Sequence, residues 1–204
     1  MADFTRLVPP RKVTYPIMQA GLDSWGQTGK GQFRTTNQTG REWKETYPPM
    51  RGGDETVRAF LSYINNLWRN RTIFTITHKH LSVFNGTVTG NVYAKTSGST
   101  GDTLQISNTT GTQTAVTGIW RQGDVITIDG INLVFDIKEV ATNATQLKIN
   151  PPIVTGLTIT NNAVIKYLSG QVKFQCVIDE GLSMPESEED GVYYGLVIPF
   201  RETL

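Results

Sequence analysis

One segment restricts the fold of this chain more than any other. In "RGGDETVRAFLSYINNLWRNR", residues 51–71, Val57, Phe60, Leu61, Ile64, Leu67 and Trp68 recur at i, i+3, i+4, i+7, i+10 and i+11. That spacing lays a wide apolar stripe along one face of an α-helix. Asp54 stands where an N-cap belongs, and Glu55 falls in the first turn, where a carboxylate meets the positive end of the helix dipole. Arg69 and Arg71 close the other end, where cations are favoured. Almost everything around this segment reads as strand or turn. The expectation is one helix, about 54–70, covering its stripe against a sheet in a mainly β protein.

The flanks supply that sheet. "GQFRTTNQTGREWKETYPPM" reads as two strands around an "NQTG" turn, and Trp43 and Glu45 take the opposite orientation to Lys44 by period-two alternation. After the helix, "TIFTIT" at 72–77 resumes as a strand, with Ile73 or Phe74 committed to the core. The order over residues 1–81 is therefore strand, strand, helix, strand.

From about 82 to 166 the composition shifts to Thr, Asn and Gly, then sharpens into "WRQGDVITIDGINLVFDIKEVATNATQLKINPPI". Ile126 and Ile128 alternate with Val125 and Thr127 after a "QGD" turn, and "DG" at 129–130 is a hairpin signal. Short strands at this spacing with no helix argue a small barrel or sandwich. Val, Leu and Ile interspersed through 95–117 favour structure there over a disordered loop. Beyond about 167 longer strands return, "GQVKFQCVI" and "GVYYGLVIPFRETL", separated by the acidic loop "DEGLSMPESEEDG". One helix and a few strands before the middle region are too little to close a core, and two strands after it complete the sheet. The expected organisation is a discontinuous domain, 1–81 with 167–204, carrying an inserted domain at 82–166.

The 204 residues carry a net charge of +1, with 38% hydrophobic and 18% charged residues. No stretch approaches the roughly 20 apolar residues of a membrane span, and "MADFTRLVPPRKVTYP" lacks the apolar core of a signal peptide. No membrane insertion is expected. In the middle region Lys95, Arg121, Lys138, Lys148 and Lys166 are balanced by Asp102, Asp124, Asp129, Asp136 and Glu139. A balanced patch is no footprint for nucleic acid. Cys176 is the single cysteine, which fits synthesis in a reducing cytoplasm. Its alternation with Lys173 and Gln175 reads as a buried strand thiol.

Catalytic patterns are missing from the sequence. His78 and His80 share one face of an extended segment, but no third His exists and the cysteine is distant. "GQTGKGQ" at 26–32 fails the phosphate-loop spacing, since Gln32 follows Gly31 and a strand comes next. The carboxylates at 186–190 lack calcium-loop spacing and read as a solvated loop. No GxSxG elbow, no Cys–His partnership and no paired carboxylates stand out. The reading is a protein that is not an enzyme and holds no metal or cofactor. Carbohydrate binding is the alternative, because Tyr93 or Trp120 on an exposed barrel face would stack on a sugar ring.

Three stretches in order resemble one family. "REWKETYPPMRGGDETVRAFLSYINNLWRNRTIFTI" resembles the N-terminal half of distal tail proteins of tailed bacteriophages, where a strand ending in a "PPM"-like corner leads into one amphipathic helix. "QGDVITIDG", "LVFDIKEV" and "LKINPPI" are similar to the OB-like barrel inserted in one branch of that family. "YYGLVIPFRETL" resembles its closing strand with an Arg-Glu-x-Leu-like tail. The resemblance implies a β-sandwich domain that builds a hexameric ring and an OB-like barrel that points outward. It places the protein in the virion, at the distal end of the tail. Its implied partners are further copies of itself, the tail tube protein and the tail-tip or baseplate hub protein, with host-surface carbohydrate as a further one. Two elements are expected to contribute to the ring by meeting edge to edge. They are the terminal strand 191–202, with Tyr193, Tyr194, Phe200 and Arg201, and the 31–47 hairpin, with Phe33, Trp43 and Tyr47.

Overall fold

The computed structural model describes residues 2–14, 17–18, 22–25, 31–34, 41–153, 157–187 and 191–203, with the backbone alone at 17–18, 22–25, 31–34 and 186–187. The expected "NQTG" turn, most of "GQTGKGQ" and the end of the acidic run lie outside these residues. The protein is mainly β, a discontinuous β-sandwich with one helix plus a small closed OB-like barrel. The chain divides into two compact units, Met1–Ile76 with Gln175–Leu204, and Thr77–Phe174.

In chain order the first unit opens with β1 (Lys12–Val13), β2 (Ile17–Met18), β3 (Leu22–Trp25), β4 (Gly31–Arg34), β5 (Arg41–Thr46) and β6 (Met50–Arg51), then α1 (Glu55–Arg69) and β7 (Phe74–Ile76). The second unit carries β8 (Val92–Ser107), β9 (Val116–Trp120), β10 (Val125–Ile128), β11 (Val134–Ile137), β12 (Ala141–Ala144), β13 (Gln146–Ile153) and β14 (Ala163–Lys166). The chain then returns through β15 (Phe174–Ile178), β16 (Glu186–Ser187), β17 (Val192–Tyr194) and β18 (Val197–Glu202).

In the first unit one sheet runs β1-β5-β18-β15-β7, with β2 also on β5. Strands from the two ends of the chain thus lie side by side, with Phe200 opposite Trp43 and Cys176 opposite Glu202. The Asp54 carboxylate accepts from the Thr56 N–H at 2.8 Å, so the N-cap expected from the sequence forms. Val57, Phe60, Ile64 and Leu67 are buried, whereas Leu61 and Trp68 at the stripe's margins are half-buried. Phe60 meets the Tyr47 ring at 5.1 Å. Phe74 is the residue of "TIFTIT" that enters the core, while Ile73 stays 45% exposed. Burying each large side chain of this core contributes roughly 1.5–3 kcal/mol.

Two expectations about strands are corrected. "GVYYGLVIPFRETL" is not one strand: Gly195, at φ +81°, breaks it, and β17 and β18 then join different sheets. The strands of the 31–47 segment do not pair with each other, since β4 pairs with β3 and β5 with β1, β2 and β18. All of β15 is buried, Gln175 included, so both faces of this mid-sheet strand are covered as well as both its edges. Cys176 is buried there. Burial, and after it the nearby Glu202 carboxylate, pushes its thiol well above its ordinary value. A thiol-specific reagent should therefore leave Cys176 untouched in native protein and modify it fully in denaturant. Rapid native labelling would refute its burial.

In the second unit β10, β11, β13, β8 and β14 close into a barrel with antiparallel neighbours. The "DG" signal holds: Gly130, at φ +84°, turns β10 back into β11. Closure follows from β8, whose first residues pair with β14 and whose last pair with β13. The interior is filled by Val92, Leu104, Ile126, Ile128, Phe135, Ile149 and Trp120, among others. On the outer surface Asp102 bonds Lys148 Nζ at 2.9 Å and Lys138 Nζ at 3.2 Å. The bond from Lys148, then that from Lys138, bring its carboxyl down to about 2. A carboxyl depressed on folding stabilises above its unfolded value, so this contribution is complete above about pH 4 and fades as pH falls toward 2. An NMR titration should find Asp102 ionised at pH 3, and a midpoint near 4 would contradict the pairing.

Candidate assembly surface

The residues proposed from the sequence separate into those that hold the fold and those that face solvent. Trp43, Tyr47 and Phe200 are 2%, 3% and 0% exposed, so none of their rings is free to meet a neighbouring subunit. The reason is their position on the inner strands β5 and β18 or, for Tyr47, just beyond β5, where alternation turns them into the core. Trp43 stacks on Phe200 with centroids 5.5 Å apart. Edge-to-edge pairing through these strands is also corrected. β18 lies between β5 and β15, β5 is covered on both sides, and β17 lies between β16 and β6. Their backbone donors and acceptors already have partners on either flank.

Tyr194 remains accessible at 39% exposure, Tyr193 is half-buried, and Arg201 is exposed with Nη2 3.3 Å from Asp179 Oδ1. Phe33 stands on β4, in register with Asp23 of β3, and its side chain lies outside the described residues. The β3–β4 hairpin pairs with no other strand among the described residues. Met184, also 39% exposed, and Ile73 add apolar surface to the same unit.

Beneath this surface lie ionisable groups that the sequence reading passed over. Glu45 is fully buried, 2.5 Å from Arg6 Nη2, and accepts from the Tyr47 hydroxyl at 2.9 Å. Burial first, and then the Glu45 charge, raise the Tyr47 hydroxyl far above its ordinary value. Arg41 Nη1 lies 3.0 Å from Glu202 Oε2, with both side chains buried. A signal was present in the sequence: Arg41 and Glu45 share the phase of Trp43 and Tyr47, which places charges on the core face of β5.

The barrel changes the carbohydrate reading. Trp120 is 0% exposed, enclosed by Phe84 at 5.6 Å and Tyr167 at 5.1 Å, so its face is closed to a sugar ring. A barrel this small needs its large aromatics for its own interior. Tyr93 is half-buried on β8 opposite Val164, which is 36% exposed. The histidine pair is a turn device. His78 is fully buried and its Nδ1 accepts from the Leu81 and His80 N–H groups at 3.1 and 3.3 Å. Among the described residues no group of three His, Cys, Asp or Glu converges as a metal site, and no helix is long and apolar enough to cross a membrane.

Two recesses adjoin at the start of α1. One, of about 300 Å³, lies between Leu7–Pro9 and the Pro48–Arg51 corner, and the other, of about 770 Å³, is bounded by Arg51, Gly53, Asp54, Gly191 and Val192. Among the described residues their ionisable lining is Arg51 and Asp54, and the Asp54 carboxylate is engaged as the helix cap. Among the described residues, such walls offer a docking contour and neither a nucleophile nor an acid–base pair. Compared with models of known protein families and with curated proteins, the chain matches none.

Proposed function

We propose that this protein is a structural component of a phage tail, forming a hexameric ring at the distal end that joins the tail tube to the tip or baseplate hub. The observation that carries the reading is the discontinuous build. Both ends of the chain combine in one helix-bearing β unit, and a closed barrel is inserted between them. That is the order of parts the family resemblance leads one to expect, and the helix occupies its expected place within it. The β3–β4 hairpin, which pairs with no other strand among the described residues, adds support, because a two-stranded hairpin alone is marginal in water and gains from a second surface. Tyr194, Met184 and Ile73 offer the exposed apolar contacts for subunits to share. The low net charge of +1 per chain also allows close packing of copies without strong repulsion.

Native mass spectrometry and negative-stain imaging test this directly. The expected species has six times the 22.6 kDa chain mass and appears as a six-fold ring. A chain that stays monomeric at every accessible concentration, alone and with tube and hub proteins added, refutes the proposal.

A further inference from the structure

Residues 2–8 cross the helix-bearing unit as a strap that belongs to none of its strands. At its far end the strap lies along the outer edge of β7. Phe4 N–H donates to Thr75 O at 2.7 Å, and Thr75 N–H donates to Ala2 O at 3.1 Å. The Thr75 hydroxyl also donates to the Asp3 carboxylate. Phe4 is 8% exposed and sits 5.2 Å from both Phe74 and Phe200. Arg6 then closes over Glu45, with Nη2 2.5 Å from Oε1 and Nε 3.1 Å from Oε2. The strap therefore has an apolar anchor, a charged anchor and an edge-strand contact.

The segment that joins this strap to β1 is partly exposed. Leu7 is 43% exposed, and the recess of about 300 Å³ opens beside Leu7, Val8 and Pro9. Pro9 and Pro10 precede Arg11, whose N–H donates to Thr46 O at 2.8 Å as β1 begins. Proline fixes its own φ and biases the residue before it toward extended conformations. A Pro-Pro hinge thus favours a strap that runs outward from β1 as well as one folded back. Strong anchors beyond a partly exposed proline hinge are an arrangement that lets identical segments trade places between copies.

The geometry points to an exchanged strap: in the assembled protein, residues 2–6 of one copy fill the groove of a second copy. Arg6 meets the second copy's Glu45, and Phe4 its Phe74 and Phe200. This inference rests on the assembly reading above. Every contact made within one chain is reproduced between two, so exchange forfeits none of them. The remaining cost is bringing copies together, which assembly through other surfaces has already met by raising the local concentration. Residues 7–11 reach at most about 17 Å when extended. Counting the six steps from Arg6 to Lys12, the donor's Arg6 backbone can lie up to about 20 Å from its Lys12, and the receiving Glu45 must be within Arg6 side-chain reach of that point.

A disulfide trap tests it on the full-length chain. In the double variant Asp3→Cys/Thr75→Cys the strap and β7 carry facing thiols, and each single variant serves as control. Native mass spectrometry of the same sample reports the assembly state. After oxidation of the assembled protein, exchange predicts dimers and higher multiples of the chain on denaturing, non-reducing electrophoresis, collapsing to single chains on reduction. Single-chain bands from an assembled sample would overturn the exchange while leaving the ring intact. A protein that is monomeric throughout overturns the ring and the exchange together. Because that pair also removes the Asp3–Thr75 bond, Thr5→Cys/Tyr63→Cys, bridged by a short bismaleimide because a tyrosine side chain separates the two backbones, repeats the measurement, the Thr5 N–H lying 3.3 Å from the Tyr63 hydroxyl.

Discussion

Phe60→Ala is expected to remove most of the stability of the helix-bearing unit and leave the barrel folded. The Phe60 ring has no exposed surface and meets Tyr47 at 5.1 Å, so truncation leaves a cavity between helix and sheet. Losses for such a change run to about 3–5 kcal/mol, against a total stability of about 5–15 kcal/mol for a domain. Calorimetry should show the transition of the unit formed by the two chain ends moving down by more than about 10 °C. The barrel, whose core is built from its own residues, should keep its midpoint. Assembly should fail with the first transition, as read by native mass spectrometry. An unchanged midpoint would mean that α1 is not a core element of its unit.

The second large effect concerns the buried pair that ties the beginning of β5 to the end of β18. Arg41 also donates its backbone N–H to Glu202 Oε2 at 3.1 Å, so this carboxylate receives both a main-chain and a side-chain donor from one residue. Arg41→Ala strips the guanidinium from a carboxylate that has no exposed side-chain surface. Removing one partner of a buried pair costs about 3–5 kcal/mol, because the remaining charge keeps its desolvation penalty. Replacing both, as Arg41→Met with Glu202→Gln, should recover most of that loss, since no charge is then buried and the amide oxygen of Gln can still accept from the main-chain N–H of residue 41. Urea unfolding of the two variants decides it. If the double variant were as unstable as Arg41→Ala, the pair would contribute more than mutual neutralisation.

How much was legible depended on the range of the interaction involved. The helix, its Asp54 cap and its apolar face could be read directly, because 3.6-residue periodicity and capping are properties of neighbours in sequence. The "DG" turn and the inward phase of Ile126 and Ile128 were legible for the same reason. The two corrections to strand pairing arose where several partners satisfy the same alternation. β4 has the pattern of a strand whether it pairs with β5 or β3, and nothing local in "GQFR" chooses between them. Gly195 was visible as a glycine, yet only its left-handed backbone separates β17 from β18.

The aromatic residues show the same limit. An aromatic on an alternating strand is equally consistent with a core and with an interface, since both reward large apolar side chains. Trp43 and Phe200 went to the core by stacking on each other, and Trp120 by packing against Phe84 and Tyr167, whereas Tyr194 stayed at the surface.

By itself the sequence determined that this protein is mainly β with one capped amphipathic helix, and that the middle of the chain differs from its two ends. Those features follow from local periodicity, turn chemistry and composition. Only the tertiary structure decided which strands are central, which charges are buried in pairs, and that residues 2–8 cross to the edge of β7. Such choices are made between segments far apart in the chain, as with Arg41 and Glu202, where burial and mutual charge select one pairing among many that the local pattern allows.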